Sequence, residues 1–74
     1  MPEIVMRVRF VGGEHSDVVY TDPDADSIDA AVDHVIAVLS DGEGVLRCQH
    51  GDRLIVLFAR GIAAFEVAPR GAIL

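Results

Sequence analysis

The stretch Val45-Leu46-Arg47-Cys48-Gln49-His50-Gly51-Asp52-Arg53-Leu54-Ile55-Val56-Leu57-Phe58-Ala59-Arg60-Gly61-Ile62-Ala63-Ala64-Phe65-Glu66-Val67-Ala68 decides how this chain folds. Gly51-Asp52 is a two-residue pair suited to a hairpin turn, and Arg60-Gly61 offers a second break. The reading is therefore three strands, Val45–His50, Arg53–Ala59 and Ile62–Ala68, joined as a meander. With turns at those two places, one face carries Leu46, Cys48, Ile55, Leu57, Ile62 and Ala64. The other carries Val45, Leu54, Val56, Phe58, Ala63, Phe65 and Val67. Both faces are apolar, and a strand apolar on both sides is normally covered on both.

Upstream lies the one element able to supply cover. Ile28, Ala31, Val32, Val35, Ile36 and Leu39 recur at helical spacing, with Asp29, Asp33 and Ser40 opposite. Asp26 or Ser27 caps this helix, and Gly42 stands where a left-handed C-terminal residue is wanted. Further upstream, Ile4, Met6, Val8 and Phe10 alternate with Val5, Arg7, Arg9 and Val11, the period of a half-buried strand. Gly12-Gly13 breaks that strand, and Asp17 to Thr21 reads as its hairpin partner.

The expected architecture is thus a small two-layer α+β domain of order ββαβββ, mainly antiparallel, with one helix on one face of the sheet. A β-grasp-like arrangement is the alternative. A single helix has one apolar stripe and covers one sheet face only. A second copy of the chain is the simplest cover for the other, giving a homo-oligomer of two or more subunits. Leu54, Val56, Phe58 and Phe65 are the expected self-association residues, joined by Ile73 and Leu74 of the apolar tail that follows Pro69-Arg70-Gly71. A small sheet curled over itself as a closed monomer is the competing solution.

Length and composition agree. At 74 residues the chain is one domain, and domains of this size bury only about 60% of their unfolded surface and often need a supplement. Cys48 is the only cysteine, so no intrachain disulfide can supply it. The longest apolar run, Leu54 to Ala59, falls far short of the ~20 residues of a membrane helix. Met1-Pro2-Glu3 lacks the features of a signal peptide, so a cytoplasmic location is expected. All six cations are arginine, and alanine, valine, glycine and aspartate dominate, a composition expected of a GC-rich bacterium or its phage. The net charge of −6 disfavours DNA and anionic lipid as partners.

The motifs that carry chemistry elsewhere are incomplete here. Asp22, Asp24 and Asp26, continued by Asp29 and Asp33, resemble the opening of a calcium loop. Ser27 replaces the turn glycine, however, and Asp33 stands where a bidentate glutamate is required. Capping and helix-dipole roles are the expected ones for these acids. Cys48 and His50 share a strand face, but two ligands make no metal site, and His15 and His34 are scattered elsewhere. Gly12-Gly13 leads into no lysine and no helix start, so it is no phosphate cradle. Neither a catalytic set nor a cofactor is expected. Arg7, Arg9 and Arg47 form the one alternative surface, an arginine ribbon for nucleic acid. An acidic surface imitating DNA, built on the aspartates from Asp22 to Asp33, is the remaining reading.

Overall fold

The structure, a computed structural model, describes residues 2–68. The elements are β1 (Glu3–Phe10), β2 (His15–Thr21), α1 (Ile28–Ser40), β3 (Val45–His50), β4 (Arg53–Phe58), a 3-10 turn (Ala59–Gly61) and β5 (Ile62–Val67). The ββαβββ order and the α+β class are as expected: among the described residues five strands form one antiparallel sheet beside one α-helix. The pairing β4-β3-β2-β1-β5 contains no parallel neighbours, whereas a β-grasp sets its first and last strands side by side in parallel.

Both hairpins form where glycine permits. Gly13 lies at φ 96° after a turn closed by its N–H to the Phe10 carbonyl, and Gly51 lies at φ 61°, the glycine-first turn that suits two-residue hairpins. The helix starts at Ser27, whose Oγ accepts the Ala30 N–H at 3.1 Å. Its other end departs from expectation. Gly42 is not left-handed; Asp41 ends the helix in an extended conformation, and its carboxylate accepts the Glu43 N–H. Gly44 is the glycine that matters, because a Cβ there would stand 2.0 Å from the Val38 carbonyl oxygen.

β5 overturns the meander. It does not pair with β4; it pairs antiparallel with β1 at the opposite edge of the sheet. Arg60-Gly61 belongs to the 3-10 turn rather than to a hairpin. Phe58 and Ile62 are four residues apart and so lie within about 15 Å. In a flat five-stranded sheet the edge strands would already stand about 19 Å apart. The sheet therefore coils strongly, swinging its β3–β4 hairpin around at the single bridge Val19↔Gln49.

The faces of β5 also depart from simple alternation. Arg9 pairs with Ala64 but Phe10 pairs with Ile62, so Ala63 is an extra residue in a bulge. The bulge turns Ile62 and Phe65 to the same side, the helix side, and sends Ala64 to the other. The core gathers Ile4, Met6 and Val8 from β1, Val18 and Tyr20 from β2, Leu46 and Cys48 from β3, and Leu57 from β4 against Val35 of α1. Phe10, Ile55, Ile62 and Phe65 pack around it. No helix among the described residues is long and apolar enough to cross a membrane.

Candidate interaction surface

The outward face of the sheet divides into two chemically distinct halves. On the β1–β2–β5 half, Arg7 meets Asp17 through two hydrogen bonds, Nε to Oδ1 at 2.7 Å and Nη2 to Oδ2 at 3.1 Å. The Arg9 Nε donates to Glu66 at 2.6 Å. Cross-strand register sets up both pairs: Arg7 lies directly opposite Asp17, and Arg9, opposite Ala64, reaches diagonally to Glu66 on the same face. Hydrogen bonding to Arg7 holds the Asp17 carboxyl below its ordinary range. The expected arginine ribbon is thus largely engaged within the chain. Arg47 lies apart on β3 opposite Val56, with no salt bridge among the described residues.

On the β3–β4 half the outward row of β4 is apolar, and β3 lays Val45, Arg47 and Gln49 beside it. Six residues pair in unbroken register from Val45↔Phe58 to His50↔Arg53. Alternation sends Leu46, Cys48, Ile55 and Leu57 inward and Val45, Leu54, Val56 and Phe58 outward. The inward set is buried or nearly so, whereas Leu54 is 62% exposed and Phe58 52%. The guanidinium of Arg60 lies 5.8 Å from the centroid of the Phe58 ring. Leu54, Val56 and Phe58, read from the sequence as self-association residues, therefore share one exposed surface. Phe65 does not join them: it lies on the helix side, lining a shallow groove of about 330 Å³ with Ile36, Leu39 and Ile62. Ile73 and Leu74 lie outside the described residues.

Cys48 and His50, which the sequence places on one strand face, have separate fates. Cys48 is enclosed in the core, and burial pushes its thiol up to about 11. His50, exposed at the hairpin turn, donates from Nδ1 to the Asp17 carbonyl at 2.7 Å. A neutral thiol without access is a poor nucleophile. A disulfide-exchange reagent at pH 8 should leave native Cys48 largely unmodified over minutes and react fully once denaturant is added. Rapid stoichiometric reaction of the native protein would refute the assignment.

A second cluster overturns the capping role expected of Asp22, since Ser27 caps the helix and Asp22 bonds His34 instead. Asp22 is the buried charged residue among those described, 1% exposed, and it caps nothing. It continues the inward alternation of Val18 and Tyr20 past the end of β2, its N–H bonded to the Pro2 carbonyl. One carboxylate oxygen accepts the Asp24 N–H at 3.0 Å, and the other lies 2.8 Å from the His34 Nδ1 on α1. A carboxylate has no proton to give, so Nδ1 carries the hydrogen and donates it. The Tyr20 hydroxyl stands 3.3 Å from the same nitrogen. The His34 hydrogen bond, helped by the Asp24 N–H and opposed by burial, holds the Asp22 carboxyl below its usual range. Among the described residues no group of three or more His, Cys, Asp or Glu is placed to hold a metal ion.

This arrangement ties the helix to the end of β2 and gives stability a pH dependence. A carboxyl whose folded pKa is lowered stabilises the fold above its unfolded value, about 3.9, and that contribution disappears as pH falls through the folded value. Asp22→Asn should therefore melt several degrees below the native chain at pH 7, and the gap should narrow as the pH drops below about 4. A gap that stays constant down to pH 2.5 would show that the charge of Asp22 contributes nothing.

With this geometry in place, comparison with known proteins adds no relative: no protein-family model, curated protein or solved structure matches the chain.

Proposed function

We propose that this chain is a non-catalytic interaction module that assembles with copies of itself through the outward surface of its β3–β4 hairpin. The observation that carries the reading is the exposed apolar row Leu54, Val56 and Phe58 with Val45 beside it. These residues occupy the sheet face turned away from α1, and single exposed apolar residues are ordinary where a contiguous row on one strand is not. The ion-paired half of the same face weighs against the nucleic-acid alternative. Arg7 and Arg9 would each have to give up a carboxylate to reach a phosphate. The acidic DNA-mimic reading loses Asp22 to the interior, leaving Asp24, Asp26, Asp29 and Asp33 exposed. Light scattering coupled to size exclusion tests the proposal directly. A mass of at least twice 7.9 kDa at tens of micromolar is expected, and a strict monomer at high micromolar concentration would overturn it.

A further inference from the structure

The two edges of the sheet are not alike, and the difference specifies how two copies meet. β5, at one edge, is interrupted by the bulge at Arg9/Phe10 and carries the acidic Glu66 near its end. These are devices that keep an edge strand from pairing with another chain. β4, at the other edge, has none of them. It is in continuous register with β3, lacks proline and acidic residues, and runs Leu54-Ile55-Val56-Leu57-Phe58 without interruption.

The backbone groups that β4 leaves free can be assigned. Ala59 donates its N–H to the Gly44 carbonyl at 2.9 Å, extending the β3–β4 ladder by one position. Backbone direction alternates along an antiparallel strand, so Arg53, Ile55 and Leu57 bond to β3. The N–H and C=O groups of Leu54, Val56 and Phe58 point away from it. These are the same residues whose side chains form the exposed apolar row.

We infer that β4 pairs antiparallel with β4 of a second copy about a two-fold axis through Val56, joining the two five-stranded sheets into one of ten strands. This inference rests on the self-association proposed above and places its contact at the β4 edge, where the outward rows of the two copies meet side by side in one joined surface. With Val56 opposite Val56, Leu54 lies opposite Phe58 and Ile55 opposite Leu57, so outward and inward faces each meet their like. Every free N–H and C=O of Leu54, Val56 and Phe58 then gains a partner. The same register brings Asp52, in the turn just before β4, toward Arg60 of the other copy, in the 3-10 turn just after it, so opposite charges face each other at both ends of the seam. Shifting the axis to Ile55 would instead place Asp52 opposite Phe58 and Arg53 opposite Leu57. Shifting it to Leu57 would place Leu54 opposite Arg60. Of the symmetric registers, only the one centred on Val56 satisfies backbone, side chains and charge together.

The test uses variants of the whole chain, each checked for native circular dichroism and followed by light scattering across a concentration series. Val56→Pro removes an outward-facing N–H that the fold itself does not use, a position where an edge strand accepts proline. It should leave a folded monomer. Asp52→Arg sets like charges together at both ends and should weaken association by at least tenfold. Asp52→Arg combined with Arg60→Asp should restore it, and because both positions lie on the surface this pair remains informative if the proline variant does not fold. A native dimer that survives Val56→Pro, or charge variants without effect, would overturn the edge register while leaving self-association through the apolar face standing. A native chain that never exceeds 7.9 kDa would overturn both.

Discussion

Leu57→Asp is expected to abolish the cooperative thermal transition, while its neighbour substitution Phe58→Asp should leave a folded protein that no longer self-associates. The two residues are adjacent in β4 yet point to opposite sides of the sheet: Leu57 is 3% exposed in the core and Phe58 52% exposed outside it. Truncating a buried leucine to alanine costs about 2–5 kcal/mol, and a carboxylate set among Leu46, Cys48 and Val35 adds desolvation to that loss. A chain of 74 residues has a total stability of about 4–11 kcal/mol at the usual 0.05–0.15 kcal/mol per residue, so this one change removes most or all of it. Phe58→Asp sacrifices strand propensity and the Arg60 contact, together about 1–2 kcal/mol, which the fold can survive. Circular dichroism melts with light scattering give both answers. If Phe58→Asp unfolds as readily as Leu57→Asp, the division of β4 into inward and outward faces is wrong. If it folds and remains a dimer, the apolar row is not the interface.

Gly44→Ala is expected to destabilise the fold by about 3 kcal/mol, the upper end of overpacking costs, because the new methyl would meet a backbone oxygen rather than a yielding side chain. At about 4–8 °C per kcal/mol for a domain of this size, the melting temperature should fall by more than about 10 °C. The clash arises where the helix passes into β3: the Gly44 N–H bonds the Asp41 carbonyl at 2.8 Å and draws the chain tightly back over the last helical turn. Gly42→Ala is the matched control. Nothing lies within 4 Å of its added Cβ and its φ is not positive, so it should be neutral or mildly stabilising. Equal melting temperatures for the two variants would mean that the tight corner at Gly44 does not exist.

The elements were legible, with ends off by a residue or two (β2 begins at His15 rather than Asp17, and β4 ends at Phe58), because they depend on neighbours in sequence. Strand alternation placed Ile4, Met6 and Val8 on one side of β1, helical spacing placed Ala31 and Val35 inward, and Gly51 marked its hairpin. Each follows from local backbone geometry and a period of 2 or 3.6 residues. Alternation also carried an unused signal. Val18, Tyr20 and Asp22 share a parity, so Asp22 was already directed inward, although nothing local named His34, twelve residues on, as its partner.

What only the tertiary structure decided is what depends on contacts distant in sequence. Whether β5 joins β4 or β1 is settled by the coil of the whole sheet, which brings its two edges within reach of the three residues Ala59–Gly61. The bulge at Ala63 then reverses the parity of everything after it. That is why Phe65 turns to the helix side although simple alternation assigns it to the face of Leu54, Val56 and Phe58. Sequence by itself determined the segments and the two-faced character of β4, since side-chain direction along one strand is local. The partner of each edge required the folded sheet, because strand pairing is a long-range choice that a single extra residue can invert.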